Sequence, residues 1–83
     1  MNWQEVCRVG RADAASHRAQ AAIERANATD CTTEARDATD SDDGMLWLMR
    51  AMQQHSAAAS SDTASEISNQ IADHAARVLG ARR

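Results

Sequence analysis

The sequence predicts an all-α protein, and three observations support that class. Alanine, the residue with the highest helix propensity, is abundant, while proline is absent and glycine occurs three times. Strand-forming residues are few, since Phe and Tyr are absent. Apolar residues recur at spacings of three and four, the period of a helix face. We therefore expect a single helical domain over residues 1–83, folded as a small antiparallel bundle of three long helices plus one short helix. Two copies of this bundle could form a dimer.

The first long helix is expected over residues 2–28, which contain no proline and one glycine. Small side chains line two roughly opposite sides of it, which favours a helix packed between two others. A repeat of small residues every seven positions also indicates coiled-coil packing. One side comprises Trp3, Cys7, Gly10, Ala14, Ala21 and Ala28, with His17 at the edge; the other comprises Ala12, Ala15, Ala19, Ala22, Ile23 and Ala26; the repeat comprises Cys7, Ala14, Ala21, Ala28 and Ala35.

Residues 29–43 are rich in Thr, Ser and Asp, whose side chains favour caps and turns over helix interiors. We expect the first helix to end near residues 27–29. A short helix would then run from a cap at Asp30 to about Ala38. The candidate caps of the helix after that are Thr39, Asp40 and Ser41.

The third helix is expected from about Asp42 to Ala59, because residues 60–62 (Ser, Ser, Asp) break the apolar pattern. Residues 63–66 (Thr, Ala, Ser, Glu) fit a capping box, so the last helix would begin there. That helix has the clearest amphipathic stripe in the chain, and the stripe is expected to face the core. Its members are Ala64, Ile67, Ile71, His74 or Ala75, Val78 and Ala81.

Six bulky apolar side chains lie within eight positions of the third helix, and no single helix face can bury all of them. Leu46 would lie to one side of the core stripe, and Trp47 would point almost directly away from it. A tryptophan in that position needs a second packed layer or a partner chain. The alternative is that Leu46 and Trp47 pack beneath the first helix. The expected core stripe comprises Met45, Leu48, Met49 and Met52, extended by His55, Ser56 and Ala59.

Charge is unevenly distributed along a chain whose formal net charge is −3. Residues 30–43 carry six acidic side chains against Arg36 alone, which gives −5, and each flank carries +1. Acidic side chains at a helix N-terminus offset the helix dipole, and this is the favoured interpretation. The alternative is that the segment binds a basic groove on another protein.

Leu, Ile and Val supply nine residues, so disorder is the alternative to a packed bundle. The small net charge favours the bundle. The sequence shows neither a signal peptide nor a segment long enough to span a bilayer, and a cytoplasmic location is expected. Cys7 and Cys31 are accordingly expected as small buried thiols instead of a disulfide.

No residue constellation in the sequence predicts chemistry. His17, His55 and His74 do not have the spacing of metal ligands. A calcium loop with Gly44 at its sixth position would place Arg50 where a bidentate glutamate belongs. The arginines are scattered among acidic residues instead of clustered, which argues against direct nucleic-acid binding. We expect no enzymatic activity, cofactor, metal, small-molecule substrate or membrane interaction.

The expected function is therefore a small regulator or adaptor that binds another protein or itself, with a homodimer as the expected assembly. The alternative is a phage- or mobile-element-type inhibitor that blocks a basic, nucleic-acid-binding surface of a larger host complex. An enzyme or a metal-binding protein is a more distant alternative. The residues expected to bind the partner are Leu46, Trp47, Met49, Arg50, Met52, Asp40, Asp42 and Asp43.

Overall fold

Two long helices form an extended antiparallel hairpin in a computed structural model that describes residues 1–82. Helix α1 spans Trp3–Asp37 and helix α2 spans Ser41–Ala81. The Cα atoms extend over 65 × 14 × 13 Å, so the molecule is a rod about two helices wide. The all-α class is confirmed, but the bundle of three long helices plus one short helix is wrong, because two of the expected helix ends lie inside continuous helices.

The first helix does not end near residues 27–29 as expected, because the threonine hydroxyls of this region form hydrogen bonds within the helix. Thr29, Thr32 and Thr33 each donate from Oγ1 to the carbonyl oxygen four residues earlier, at distances of 2.9–3.2 Å. A hydroxyl satisfied in this way does not compete for the backbone or cap a new helix. Helix α1 therefore continues past Asp30 to Asp37.

Helix α2 is not broken at residues 60–62 as expected, because polar side chains in this segment form hydrogen bonds to α1. Ser61 donates from Oγ to Glu24 Oε1 at 2.6 Å, and Asp62 accepts from Arg25 at 2.7 Å. Thr63 donates to the carbonyl of Ala59 in the same helix. The polar residues thus join the two helices and do not end one of them.

The connection between the helices is short, and its cap was predictable. Asp40 is the N-cap of α2, and its side chain accepts a hydrogen bond from the backbone N–H of Asp42 at 3.1 Å. The expectation of a cap at Thr39, Asp40 or Ser41 is confirmed. At the other end of α1, Asn2 is the N-cap and accepts from the N–H of Glu5. A short turn of this kind makes the helices antiparallel neighbours.

The buried interface between the helices consists of small side chains with a period of seven. Within the described residues no bulky side chain is fully buried. A seven-residue period corresponds to 3.5 residues per turn, the repeat of a coiled coil, and the repeat noted at Cys7, Ala14, Ala21, Ala28 and Ala35 lies along this interface. The buried positions are Gly10, Ala14, Ala21 and Ala28 in α1, and Ala51, Ala58, Ser65, Ala72 and Ala75 in α2.

The helices approach closely enough to exclude larger residues at one crossing point. A Cβ atom on Gly10 would lie 2.9 Å from the carbonyl oxygen of Ser68 and 3.0 Å from the Cβ of Ala72. Between helices at this separation, Leu, Ile and Met do not fit. The expected core stripe of the third helix is therefore wrong. In the last helix the prediction is wrong for Ile67 and Ile71, which are about half exposed, whereas Ala75 of the same stripe is buried. The second small-residue side of α1, which includes Ala12, Ala15 and Ala19, is exposed and not packed against a third helix.

Cys7 and Cys31 are both free thiols, and both are half-buried. They occupy the same helix, 24 residues apart, which corresponds to a separation of roughly 36 Å at the rise of an α-helix. A disulfide requires Cα atoms within about 7 Å, so these two cysteines cannot be paired within one chain.

Candidate protein-binding surfaces

The turn end of the rod, called the tip below, carries the acidic segment. Asp40, Asp42 and Asp43 are all exposed, and the last two lie in the first turn of α2. The acidic residues at the end of α1 belong to the same tip because the turn is short. These are Asp30, Glu34 and Asp37, and each is exposed. The fold thus concentrates a sequence charge of −5 at one end of a 65 Å rod.

The bulky residues at the start of α2 lie on the surface. Met45, Leu46, Leu48, Met49 and Met52 each expose between 48% and 63% of their surface. The side chains facing α1 in this region are instead Gly44, Ala51 and other members of the seven-residue repeat. Four of them, Met45, Leu48, Met49 and Met52, follow one side of α2, and a contiguous exposed apolar surface is typical of interaction sites.

Trp47 is half-buried and occupies the inward line of α2, contrary to the expectation that it points away from the core. It shares a shallow groove with Asn27 and Cys31 of α1, so the packing alternative stated for Trp47 describes its position better. Leu46, expected in that alternative to pack beside it, is 54% exposed. The guanidinium of Arg50 lies 4.8 Å from the centre of the indole ring, a cation–π contact that orients the exposed part of both side chains.

One side of the hairpin is held by polar contacts between the helices and is called the ion-pair side. Arg11 donates to Asn69 Oδ1 at 3.1 Å and to Asp73 Oδ1 at 2.6 Å. Arg25 and Asp62 form a second pair across the helices. Residues of α2 that are a multiple of seven positions apart face the same direction. Met45 and Met52 are in this relation to Asp73, and Leu48 is in this relation to Asp62. These three apolar residues therefore face the ion-pair side.

The opposite side carries an apolar patch near the open end of the rod. A groove of about 480 Å³ has Val6, Val9, Gly10 and Ile71 along it and polar residues at its border, and an adjacent groove of about 520 Å³ shares Val6 and Ile71 with it. The polar lining residues of the first groove are Asn2, Glu5, Asp13 and Ser68. Ile67 in the second groove and Ile71 in both expose about half of their surface. We call Val6, Val9, Ile67 and Ile71 the apolar patch. Ile67 and Ile71 belong to the stripe that the sequence assigned to the core.

The histidines and charged side chains at the open end form local contacts. The ring of His74 packs edge-on against Trp3, with 5.7 Å between the ring centres. Arg8 pairs with Glu5, and its hydrogen bond and charge hold the pKa of Glu5 below its usual value. Within residues 1–82, no three His, Cys, Asp or Glu side chains converge where a metal ion could be held. Neither helix, as far as it is described, has a stretch both long and apolar enough to cross a bilayer.

The apolar patch was missed as a surface because α1 contributes Val6 and Val9 to it, and these were not assigned to any face. The sequence feature that could have revealed this surface is the seven-residue repeat. Placed on two adjacent helices, that repeat assigns Ala and Gly to the interface and leaves Val9, Ile67 and Ile71 outside it.

Comparisons of this chain with protein-family models, curated proteins and solved structures found no match. The functional interpretation therefore depends on the surface chemistry of the hairpin itself.

Proposed function

We propose that this protein is a non-enzymatic binding module whose tip attaches it to another protein. The observation that carries the proposal is the exposure of Met45, Leu46, Leu48, Met49 and Met52 beside the acidic residues of the turn. Methionine side chains are flexible and polarisable, and they are frequent at surfaces that adapt to a partner. A cytoplasmic location accompanies the proposal, because free thiols are typical of reducing compartments.

The apolar residues would supply most of the binding free energy, and the acidic residues would orient the partner and speed association. Interfaces bury a few large side chains at their centre, where removal of one anchor costs about 2 kcal/mol or more. Exposed charges at the edge act mainly on the association rate and its dependence on salt. Trp47 and Arg50 lie beside the acidic residues, since they line one shallow groove with Asp30 and Glu34.

The test compares tip variants with a control on the same helix. Met49→Glu with Met52→Glu should remove the protein that co-purifies with the wild-type chain from its native host. Ala76→Glu, an exposed substitution at the far end of α2, should leave that protein bound. Loss of co-purification in all variants, or in none, would contradict a binding site at the tip. Circular dichroism should show the same helical signal for each variant.

A second candidate is an inhibitor that covers a basic surface of a larger complex, of the phage- or mobile-element type. The observation that favours it is the concentration of six exposed acidic residues at the tip. Replacing Asp40, Asp42 and Asp43 with Asn preserves a competent N-cap but removes three charges. Under this proposal the triple variant should bind more slowly and with weaker dependence on salt, and nucleic acid should compete with the wild type for the partner.

A further inference from the structure

Near the tip, the two helices border a groove that combines an aromatic ring with two carboxylates. The groove has a volume of about 410 Å³. Helix α1 contributes Asp30 and Glu34, which are one helical turn apart and therefore neighbours on its surface. Helix α2 contributes Trp47 and Arg50, and the guanidinium lies 4.8 Å from the centre of the indole ring. An indole face and a carboxylate both attract a cation, so the two walls of the groove favour the same kind of ligand.

The carboxylates of this groove differ from several other acidic side chains of the hairpin. Three of those others form an ion pair with an arginine of the chain. Within residues 1–82, Asp30 and Glu34 form no ion pair, although Arg50 lines the same groove. The guanidinium of Arg50 lies over the ring of Trp47 instead. The groove therefore has two carboxylates without a cationic partner, close to a ring on which a guanidinium already stacks.

We propose that this groove binds an arginine side chain of the partner protein, whose guanidinium replaces that of Arg50 on Trp47. A guanidinium is planar and carries five N–H donors, so a single group can stack on an indole and also donate to carboxylates. Arg50 makes only the stacking contact. A partner arginine that makes both contacts is favoured over it, and the displaced Arg50 lies at an exposed position where water solvates it. This binding mode rests on the proposed tip site, to which it adds the chemistry of the partner.

Charge around the groove favours a basic protein segment as the ligand. The groove itself has two carboxylates against one guanidinium, a net charge of −1, and it lies within a tip whose segment 30–43 carries −5. These charges attract an arginine-containing segment and repel nucleic acid. A lysine satisfies the charge but has a compact ammonium group without a flat face, so we expect it to bind more weakly.

The first test measures binding of a short arginine peptide by NMR. The chain has two tryptophans, and Trp3 is the internal control because it lies roughly 40 Å along α1 from Asp30. The capped peptide Gly-Arg-Gly-Arg-Gly should shift the indole N–H resonance of Trp47 and leave that of Trp3 unchanged. The shift should saturate with a dissociation constant of about 1 mM.

Two analogues of the peptide identify the group that is recognised. The lysine analogue should bind at least about 3-fold more weakly, because it cannot stack and donate in the same way. The citrulline analogue keeps the shape of arginine without its charge and should not bind. Equal affinities for the arginine and lysine peptides, or no shift of the Trp47 resonance with either, would overturn the proposal.

The second test separates the groove from the general charge of the tip. Asp30→Asn with Glu34→Gln should raise the dissociation constant of the arginine peptide about 10-fold. Asp42→Asn with Asp43→Asn is the matched control, since it removes the same charge from exposed positions of the tip that do not line the groove. The control pair should raise the constant less than about 2-fold in about 0.15 M salt, which screens charges beyond about 8 Å. The same loss in both pairs would overturn binding in the groove.

The third test measures the replacement of Arg50. Arg50→Gln frees the indole face and should tighten binding of the arginine peptide about 2- to 5-fold. Arg36→Gln removes the same charge from an exposed position that does not line the groove, and it should change the affinity less than about 2-fold. Weaker binding by Arg50→Gln than by the wild type would show that Arg50 holds the ligand and is not displaced by it. Circular dichroism should show the same helical signal for every variant.

The peptide measurements and the co-purification measurements can fail independently. If Met49→Glu with Met52→Glu releases the native partner but the arginine peptide does not bind, the arginine groove is wrong and the tip site stands. If the peptide binds as described but the native partner stays bound to that variant, the apolar tip site is wrong and the groove stands.

Discussion

The hydroxyl of Ser65 donates a hydrogen bond of 3.0 Å to the carbonyl oxygen of Ala14, across the buried interface between the helices. The serine is 4% exposed, and it replaces alanine in the seven-residue repeat of α2. A hydroxyl in this position keeps the backbones close and satisfies its own donor. The bond favours the observed register of the two helices, because sliding one helix along the other would break it.

Ser65→Ala is predicted to lower the stability of the hairpin, although alanine is the better helix former. Loss of a buried hydrogen bond costs about 0.5–1.5 kcal/mol, and the gain in helix propensity offsets part of that cost. Ser56→Ala, at an exposed position of the same helix, gives the same gain in helix propensity without removing a buried hydrogen bond. Thermal unfolding followed by circular dichroism should place Ser65→Ala below Ser56→Ala by about 1 kcal/mol. Equal stabilities would show that the Ser65 bond contributes nothing net.

Gly10→Ala is predicted to destabilise the protein by about 1–3 kcal/mol, the usual cost of overpacking a close contact. The added Cβ would lie 2.9 Å from a backbone oxygen of α2, which cannot rotate away as a side chain could. Gly80→Ala is the control, since among the described residues no atom other than the neighbouring backbone of the same helix lies within 4 Å of the corresponding Cβ.

The Gly80 control is expected to unfold at the same temperature as the wild type or slightly above it. Replacing a helical glycine by alanine contributes up to about 1 kcal/mol in the middle of a helix, and less near an end. Chemical denaturation of both variants measures the difference. A Gly10→Ala protein as stable as Gly80→Ala would contradict the close approach of the helices at this point.

Some features of this fold follow from local rules that the sequence displays. The helical class, the cap at Asp40 and the seven-residue repeat that includes Ala14 and Ala21 were all predictable, since each depends on residues near in sequence. The number of helices was not. Thr29 and Ser61 have the chemistry of a helix end, and only their hydrogen-bond partners show that they lie within helices.

The assignment of faces failed for a different physical reason. Amphipathic analysis places the largest apolar residues inside, as in most globular proteins. Here the separation between the helices is set by Gly10 and the alanines of the repeat, and it is too small for Ile67 or Met52. For the candidate site, the sequence predicted a cluster of Met and Leu, and the structure shows that this cluster is exposed.

The Arg25–Asp62 ion pair is predicted to contribute little to stability. Its nitrogen and oxygen atoms are 2.7 Å apart, but about half of each side chain is exposed, so water and salt screen the attraction. A double-mutant cycle with Arg25→Ala and Asp62→Ala should give a coupling of about 0.2–1 kcal/mol at low salt. The coupling should decrease at 1 M NaCl. A coupling well above this range, insensitive to salt, would mean that the pair is shielded by other parts of the molecule.

Oxidation of the exposed methionines is predicted to leave the hairpin folded while weakening partner binding at the tip. Met45, Met49 and Met52 are 48–63% exposed, and sulfoxide formation makes their side chains polar without filling or emptying the alanine interface. Dilute hydrogen peroxide should therefore convert them, as shown by peptide mass spectrometry, with no loss of the helical circular dichroism signal. A triple variant with leucine at these three positions keeps Met1 and should retain binding after the same treatment, which assigns the effect to α2. If the helical signal instead decreases as these methionines are oxidised, they support the fold and the tip is not a free surface.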